Sequence, residues 1–161
     1  MSRSFRSHDR VFAGLSADAL AALTTVNSDV SVILSWEGDV LDVAYRDPEL
    51  AEWGVDDWVG LPWRETVTPE SRNKIEELLS DAVGTSPTRS RQVNHPGRTG
   101  ADLPVGYRVV SFAGSPYRIA FGSDLRAMAE MQQRLAAAYA AMEKDYRKLR
   151  DIETRYRVLF H

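Results

Sequence analysis

The chain of 161 residues carries 20 Lys/Arg against 23 Asp/Glu, a net charge of −3, and lacks the basic excess that marks a nucleic-acid-binding domain. It has no cysteine, so disulfides, thiolate metal sites, cysteine nucleophiles and thiol redox switching cannot reside in it. A hydrophobic content of 43% suits one domain plus an extension, and the absence of an apolar run of about 18 residues or a signal-peptide core points to a cytoplasmic protein with no membrane anchor.

Residues 1–15 are polar and rich in Ser and Arg, which predicts a flexible lead-in. Ser16 is a good N-cap for a short helix over Ala17–Val26, with Leu20 and Leu23 as its larger apolar residues. Val30, Val32 and Leu34 then alternate with Ser31, Ile33 and Ser35 in an apolar-rich strand. Glu37-Gly38-Asp39 is a turn, and Val40, Val43 and Tyr45 lie in a second strand, completing a hairpin. Residues 46–68 set Trp53, Trp58 and Trp63 among Pro48, Gly54, Gly60 and Pro62, a series of short turns or helices pinned by aromatic bulk.

Thr68 caps a predicted helix with Pro69 at its first position, an apolar face of Ile75, Leu78, Leu79 and Ala82, and Gly84 at its end. Residues 88–95 extend into a strand, and Pro96-Gly97 with Gly100 makes a turn. Leu103–Phe112 is a long strand with Val105, Tyr107, Val109 and Ser111 on one face. Gly114-Ser115-Pro116 turns the chain into a last strand, Tyr117–Gly122. The order predicts an α+β fold, an antiparallel sheet of about five strands with a helical crossover.

The last third, Asp124–Phe160, has neither Pro nor Gly and is filled with strong helix formers. Its stripe repeats every seventh residue in two series. One is Met128, Leu135, Met142, Leu149 and Tyr156; the other is Leu125, Gln132, Tyr139, Tyr146, Glu153 and Phe160. Such a helix would be about 55 Å long, more than a domain of this size needs, and cannot cover its own stripe. The expectation is a coiled-coil helix in a dimer or tetramer, with Gln132 and Glu153 as polar seam residues that set register at a cost in stability. An amphipathic helix laid along its own domain is the alternative. Eight Lys/Arg against six Asp/Glu from Asp124 onward describe a solvated outer face rather than a phosphate-binding stripe.

Chemistry-bearing patterns are sparse. His8, His95 and His161 have no zinc-site spacing, and His95, just before Pro96, reads as structural or solvent-facing. Glu76, Glu77 and Asp81 read as the wet side of their helix. There is no GxSxG, and Gly97 to Gly100 lacks the lysine and strand-turn-helix setting of a phosphate loop. No catalytic, metal or cofactor-binding residue is assigned, and the chain is not expected to be an enzyme. Trp36, Tyr45, Trp53, Trp58, Trp63 and Tyr107 raise the question of a bound small molecule, although aromatics so placed are more often core.

Two strands, a helical crossover, three strands and an exiting amphipathic helix form the layout of a PAS domain. The tracts VNHPGRTGADLPVGYRVV (93–110) and GSDLRAMAEMQQRL…AMEKDYRKLRDIETRYRVLF (122–160) resemble the N-terminal region and Q-linker of the PpsR/CrtJ family of photosynthesis-gene repressors. Asp124-Leu125-Arg126, Gln132-Gln133, Ala141-Met142-Glu143, Asp145-Tyr146 and Glu153-Thr154-Arg155-Tyr156-Arg157 carry the match. The resemblance implies a PAS-like domain over 16–123, a linker helix over 124–153, and the start of a following PAS domain over 154–161, with His161 either native or tag-derived. It further implies that DNA is read by a C-terminal helix-turn-helix outside this sequence, and that an antirepressor or photoreceptor engages the repressor. The family's regulatory cysteines have no counterpart here. The function expected is therefore oligomerisation, protein interaction and signal relay within a repressor. A ligand- or cofactor-sensing PAS module that signals through the C-terminal helix is the alternative.

Overall fold

A computed structural model describes residues 3–160, with only the backbone of Phe160; His161 and its origin lie outside the described residues. The chain divides into two compact units, one up to Asp124 and one from Leu125.

In the first unit, helix α1 (His8–Phe12) is followed by α2 (Ala17–Asn27), capped by the Ser16 hydroxyl, which accepts from the Ala19 N–H at 3.1 Å. Strands β1 (Val30–Ser35) and β2 (Val40–Tyr45) form the expected hairpin. Its register slips after Ile33: Ile33 faces Asp42 but Leu34 faces Val40, which leaves Leu41 as the extra residue of a bulge. The crossover consists of a short α3 (Glu49–Glu52), single 3-10 turns at Val55–Trp58 and Trp63–Thr66, and α4 (Arg72–Asp81). Strands β3 (Arg91–Pro96), β4 (Asp102–Ser111) and β5 (Tyr117–Asp124) complete a five-stranded antiparallel sheet of order β2-β1-β5-β4-β3.

Within the stretch read as a flexible lead-in, residues 8–12 form α1, and Phe5 and Phe12 meet edge to face at 6.0 Å. Two expectations for α4 change. Thr68 does not cap a continuous helix. Pro69–Ser71 is a separate 3-10 turn, the Thr68 hydroxyl donates to Ser71 Oγ at 3.1 Å, and Ser71 Oγ in turn accepts the Asn94 N–H at 3.0 Å. Serine thereby ties the crossover to β3, a bond that no local capping rule anticipates. Helix α4 ends at Asp81, before Gly84, because Ala82 leaves the helical region to enter the core.

Alternation along the strands decides which side chains are inside. Val30, Val32 and Leu34 of β1, Val93 and His95 of β3, and Val105, Tyr107 and Val109 of β4 are buried, and the crossover adds Leu50, Val55, Trp58, Trp63, Ile75 and Leu78. Gly122 of β5 lies opposite Tyr107. A Cβ there would meet the side chains of Val30, Val105 and Tyr107 at 2.6–2.8 Å, so glycine makes the room that the tyrosine ring occupies. The second unit is a single helix, α5 (Arg126–Phe160), of 35 residues. It runs unbroken, as the helix-forming stretch Asp124–Phe160 predicts, through residue 153, where the resemblance implies that a following domain begins. No helix among the described residues is long and apolar enough to cross a membrane.

Candidate functional site

The space between the inner sheet face and the crossover is filled by rings. His95, only 1% exposed, is stacked on Trp58 with centroids 4.0 Å apart and an interplanar angle of 21°. Tyr107 meets His95 edge-on at 5.6 Å, and Trp63 meets Tyr107 edge-on at 5.1 Å. The His95 hydrogen bonds determine its tautomer. Nδ1 lies 2.8 Å from the Thr66 carbonyl oxygen, which can only accept, so Nδ1 carries the proton. Nε2 is then an acceptor, and the Tyr107 hydroxyl donates to it at 2.8 Å. Burial pushes His95 down to about 4, and the bond to Thr66 offsets this only in part. Burial likewise pushes the Tyr107 phenol up, with the neighbouring Trp63 indole acting weakly in the opposite direction, although the buried Trp63 Nε1 has no partner in hydrogen-bond geometry.

Both His95 nitrogens are therefore engaged within the fold, and the histidine is a structural element of the core. Among the described residues, no cluster of three or more His, Cys, Asp or Glu is placed to hold a metal ion. The carboxylates of α4 pair with arginines on the solvent side: Glu76 with Arg64 at 3.3 Å, Glu77 with Arg91 at 2.7 Å, and Asp81 with Arg91 at 3.6 Å. Of the other aromatics considered, Tyr45 donates to the Asp56 carboxylate and Trp53 packs against the core. Trp36 is half exposed beneath the Arg118 guanidinium, 3.8 Å from its centroid. On the opposite face of the sheet, a cleft of about 300 Å³ lies between α2 and the strands, lined by Leu20, Thr24, Ile33, Val43 and Ile119 among others.

Helix α5 presents the opposite situation. Spacings of three and four residues place the two heptad series on one face. Met128, Leu135, Tyr139, Met142, Tyr146, Leu149 and Tyr156 are between 56% and 66% exposed, and Gln132 and Glu153 on the same face are also exposed. Leu125 is half-buried and stands just before the first helical residue, its carbonyl accepting the Ala129 N–H at 2.9 Å. The heptad reading passed over Met131, Ile152 and Leu159, which are equally open and border the stripe. The seven-residue spacing of Ile152 and Leu159 in the sequence was the available signal. Along the helix, Glu143 pairs with Arg147 at 2.9 Å and Glu153 with Arg157 at 2.8 Å, each with the acid N-terminal to the base, the favourable order on a helix.

Several known proteins are similar to this chain in sequence or in fold. No family model matches the chain. Protein CrtJ of Rhodobacter capsulatus is 33% identical over 158 residues, 97% of this chain, and the chain spans about a third (33%) of that relative's length. Among solved structures, the chain is similar to the PAS domain of an HTR-like protein from Haloarcula marismortui, with a TM-score of 0.51 and 20% identity over 67% of this chain and 96% of that one. It is also similar to a domain of the sensory box sensor histidine kinase/response regulator from Geobacter sulfurreducens, with a TM-score of 0.52 and 20% identity over 73% of this chain and 99% of that one. The structural likeness establishes a PAS fold, and along nearly its whole length the chain is similar in sequence to CrtJ, of which it spans about a third.

Proposed function

We propose that this chain is the oligomerisation, protein-interaction and signal-relay portion of a PpsR/CrtJ-like repressor of photosynthesis genes, working in the cytoplasm without enzymatic activity of its own. The observation that carries this reading is the exposed apolar stripe of α5, about five heptads long. The helix by itself leaves that stripe in water, and a helix partner removes it. The seam residues are Leu125, Met128, Gln132, Leu135, Tyr139, Met142, Tyr146, Leu149, Glu153 and Tyr156. In this reading residues 16–123 are the PAS-like domain, 124–153 the linker helix, and 154–161 the beginning of a following PAS domain.

Paired helices form a stiff rod, and two packings of the rod close in energy would transmit a change at one end to the other. The family resemblance supplies the partners: an antirepressor or photoreceptor that engages the domain and helix, and DNA contacted through a helix-turn-helix in the whole protein. Light scattering on the purified chain should give the mass of a dimer or tetramer. A monomeric mass at high protein concentration would end this reading. DNA binding by the chain alone should be weak, salt-sensitive and indifferent to sequence.

The alternative, a ligand-sensing module, has one supporting observation in the cleft of about 300 Å³ beneath α2. The ring-filled interior around His95 and Tyr107 weighs against a large ligand on the inner side of the sheet. An absorbance scan for a chromophore, with thermal melts across small-molecule panels, separates the two readings.

A further inference from the structure

The apolar track of α5 changes phase near its C-terminal end. From Leu125 to Leu149 its steps alternate between three and four residues. After Leu149 the alternation points to residue 153, a glutamate, while residue 152 is isoleucine. From Ile152, steps of four and three reach Tyr156 and Leu159. Ile152 and Leu159 are 62% and 80% exposed, within and above the 56–66% range of the main stripe. The Glu153 carboxylate is held by Arg157 at 2.8 Å along the helix surface. Two successive three-residue steps, from Tyr146 to Leu149 to Ile152, amount to a three-residue insertion in a heptad pattern, which overwinds a coiled coil locally.

Charge favours a second copy in parallel orientation as the occupant of this face. Asp145 and Arg150 stand on opposite flanks of the stripe, five residues apart. In a parallel, in-register pair this spacing brings Asp145 of each copy beside Arg150 of the other. A strict heptad in the same pair would set the two Glu153 carboxylates against each other in one layer, a like-charge contact that the phase change avoids.

We infer that a second copy of this chain pairs with α5 in parallel and in register, along a seam that shifts face at Leu149 to take in Ile152 and Leu159 and leaves Glu153 on the flank. This rests on the helix pairing proposed above. The shift marks the one place where the rod's two ends are packed on different faces, so twist applied at one end would be taken up there.

The absence of native cysteine allows single cysteines to be placed without background. The variants are Met142→Cys, Leu149→Cys, Ile152→Cys, Glu153→Cys and Leu159→Cys, oxidised mildly and resolved on a denaturing gel. Disulfide dimers should form at Met142, Leu149, Ile152 and Leu159, and about fivefold less at Glu153, since a disulfide needs its two Cβ atoms within roughly 4.5 Å. Crosslinking at Glu153 equal to or above that at Ile152 would overturn the phase shift while leaving pairing intact. Crosslinking confined to one position would mean antiparallel helices and overturn the parallel register. Failure at both Met142 and Leu149 would overturn the parallel register, and a monomeric mass by sedimentation would remove the pairing itself. Sedimentation gives an independent measure: Ile152→Glu should weaken association at least about tenfold, and Glu153→Leu should leave it unchanged or tighter.

Discussion

Two tyrosines illustrate how differently the halves of this chain are built. Tyr107 is fully buried in the sheet domain, its ring against Trp63 and its hydroxyl on His95, whereas Tyr139 on α5 is 64% exposed. The sheet domain closes its apolar surface within one chain: alternation along β1, β3 and β4 meets the crossover helices, and rings fill the space between. Helix α5 has a comparable supply of apolar residues and nothing in its own unit to cover them, because a single helix has no inside. Stability in the first half is thus intramolecular, and under the proposed pairing that of the second would depend on concentration. The largest expected effect on the first half alone is Trp63→Ala, which removes a 0% exposed ring and should cost about 3–5 kcal/mol in a urea melt. The variant's association through α5, measured under conditions where it remains folded, should be unchanged; a joint loss would contradict the separation of the two halves.

The converse substitutions are Leu135→Glu and Leu149→Glu. A carboxylate in a dry seam loses its hydration without gaining a partner, and about 3 kcal/mol of that penalty weakens association roughly a hundredfold. Sedimentation equilibrium should show the mass falling toward that of one chain, while the urea midpoint of the sheet domain stays within error of the unaltered protein. Unchanged mass in both variants would show that the seam runs elsewhere on the helix.

The same contrast explains what could be read from the sequence. Periodicity is local, so the strand alternation of Val30-Val32-Leu34 and of Val105-Tyr107-Val109, and the seven-residue repeat of α5, announced their elements before any coordinates. What stayed hidden was the pairing of distant residues. His95 is opposite Leu103 in its ladder, yet its hydrogen-bond partners Thr66 and Tyr107 come from the crossover and from a strand beyond the Gly97–Gly100 turn. The bond from the Asn94 N–H to Ser71 Oγ, at the junction of the 3-10 turn and α4, is of the same kind. On α5 a strict heptad selects Glu153 and passes over Ile152; under the seam shift inferred above, the phase break itself would hide Ile152 from the rule used to find the stripe.

Acid should act on the sheet domain through His95. Its pKa falls from 6.5 in the unfolded chain to about 4 in the folded one, so the unfolded state binds the extra proton between these values. The contribution of neutral His95 is fully present above pH 6.5 and is lost as the pH falls toward 4, amounting to roughly 2–3 kcal/mol across that window. Urea midpoints followed by tryptophan fluorescence between pH 7.5 and 4 should decline accordingly. In His95→Gln, at whatever lower baseline, that component of the slope should be absent; a slope equal to that of the unaltered protein would assign the acid sensitivity to other groups.

The smallest and most specific effect belongs to Tyr107→Phe. The ring and its contacts with Trp63 remain, and only the hydroxyl that donates to His95 Nε2 disappears, leaving a buried acceptor without a partner at about 1–2 kcal/mol. Because that bond stabilises the neutral imidazole, its loss should also let the folded-state pKa of His95 rise. The acid-labile window then narrows from its lower end, and the pH slope becomes shallower than in the unaltered protein. A simple packing defect would lower stability equally at every pH. Parallel stability curves for Tyr107→Phe and the unaltered chain would therefore show that the phenol and imidazole, although 2.8 Å apart, are not coupled in the folded domain.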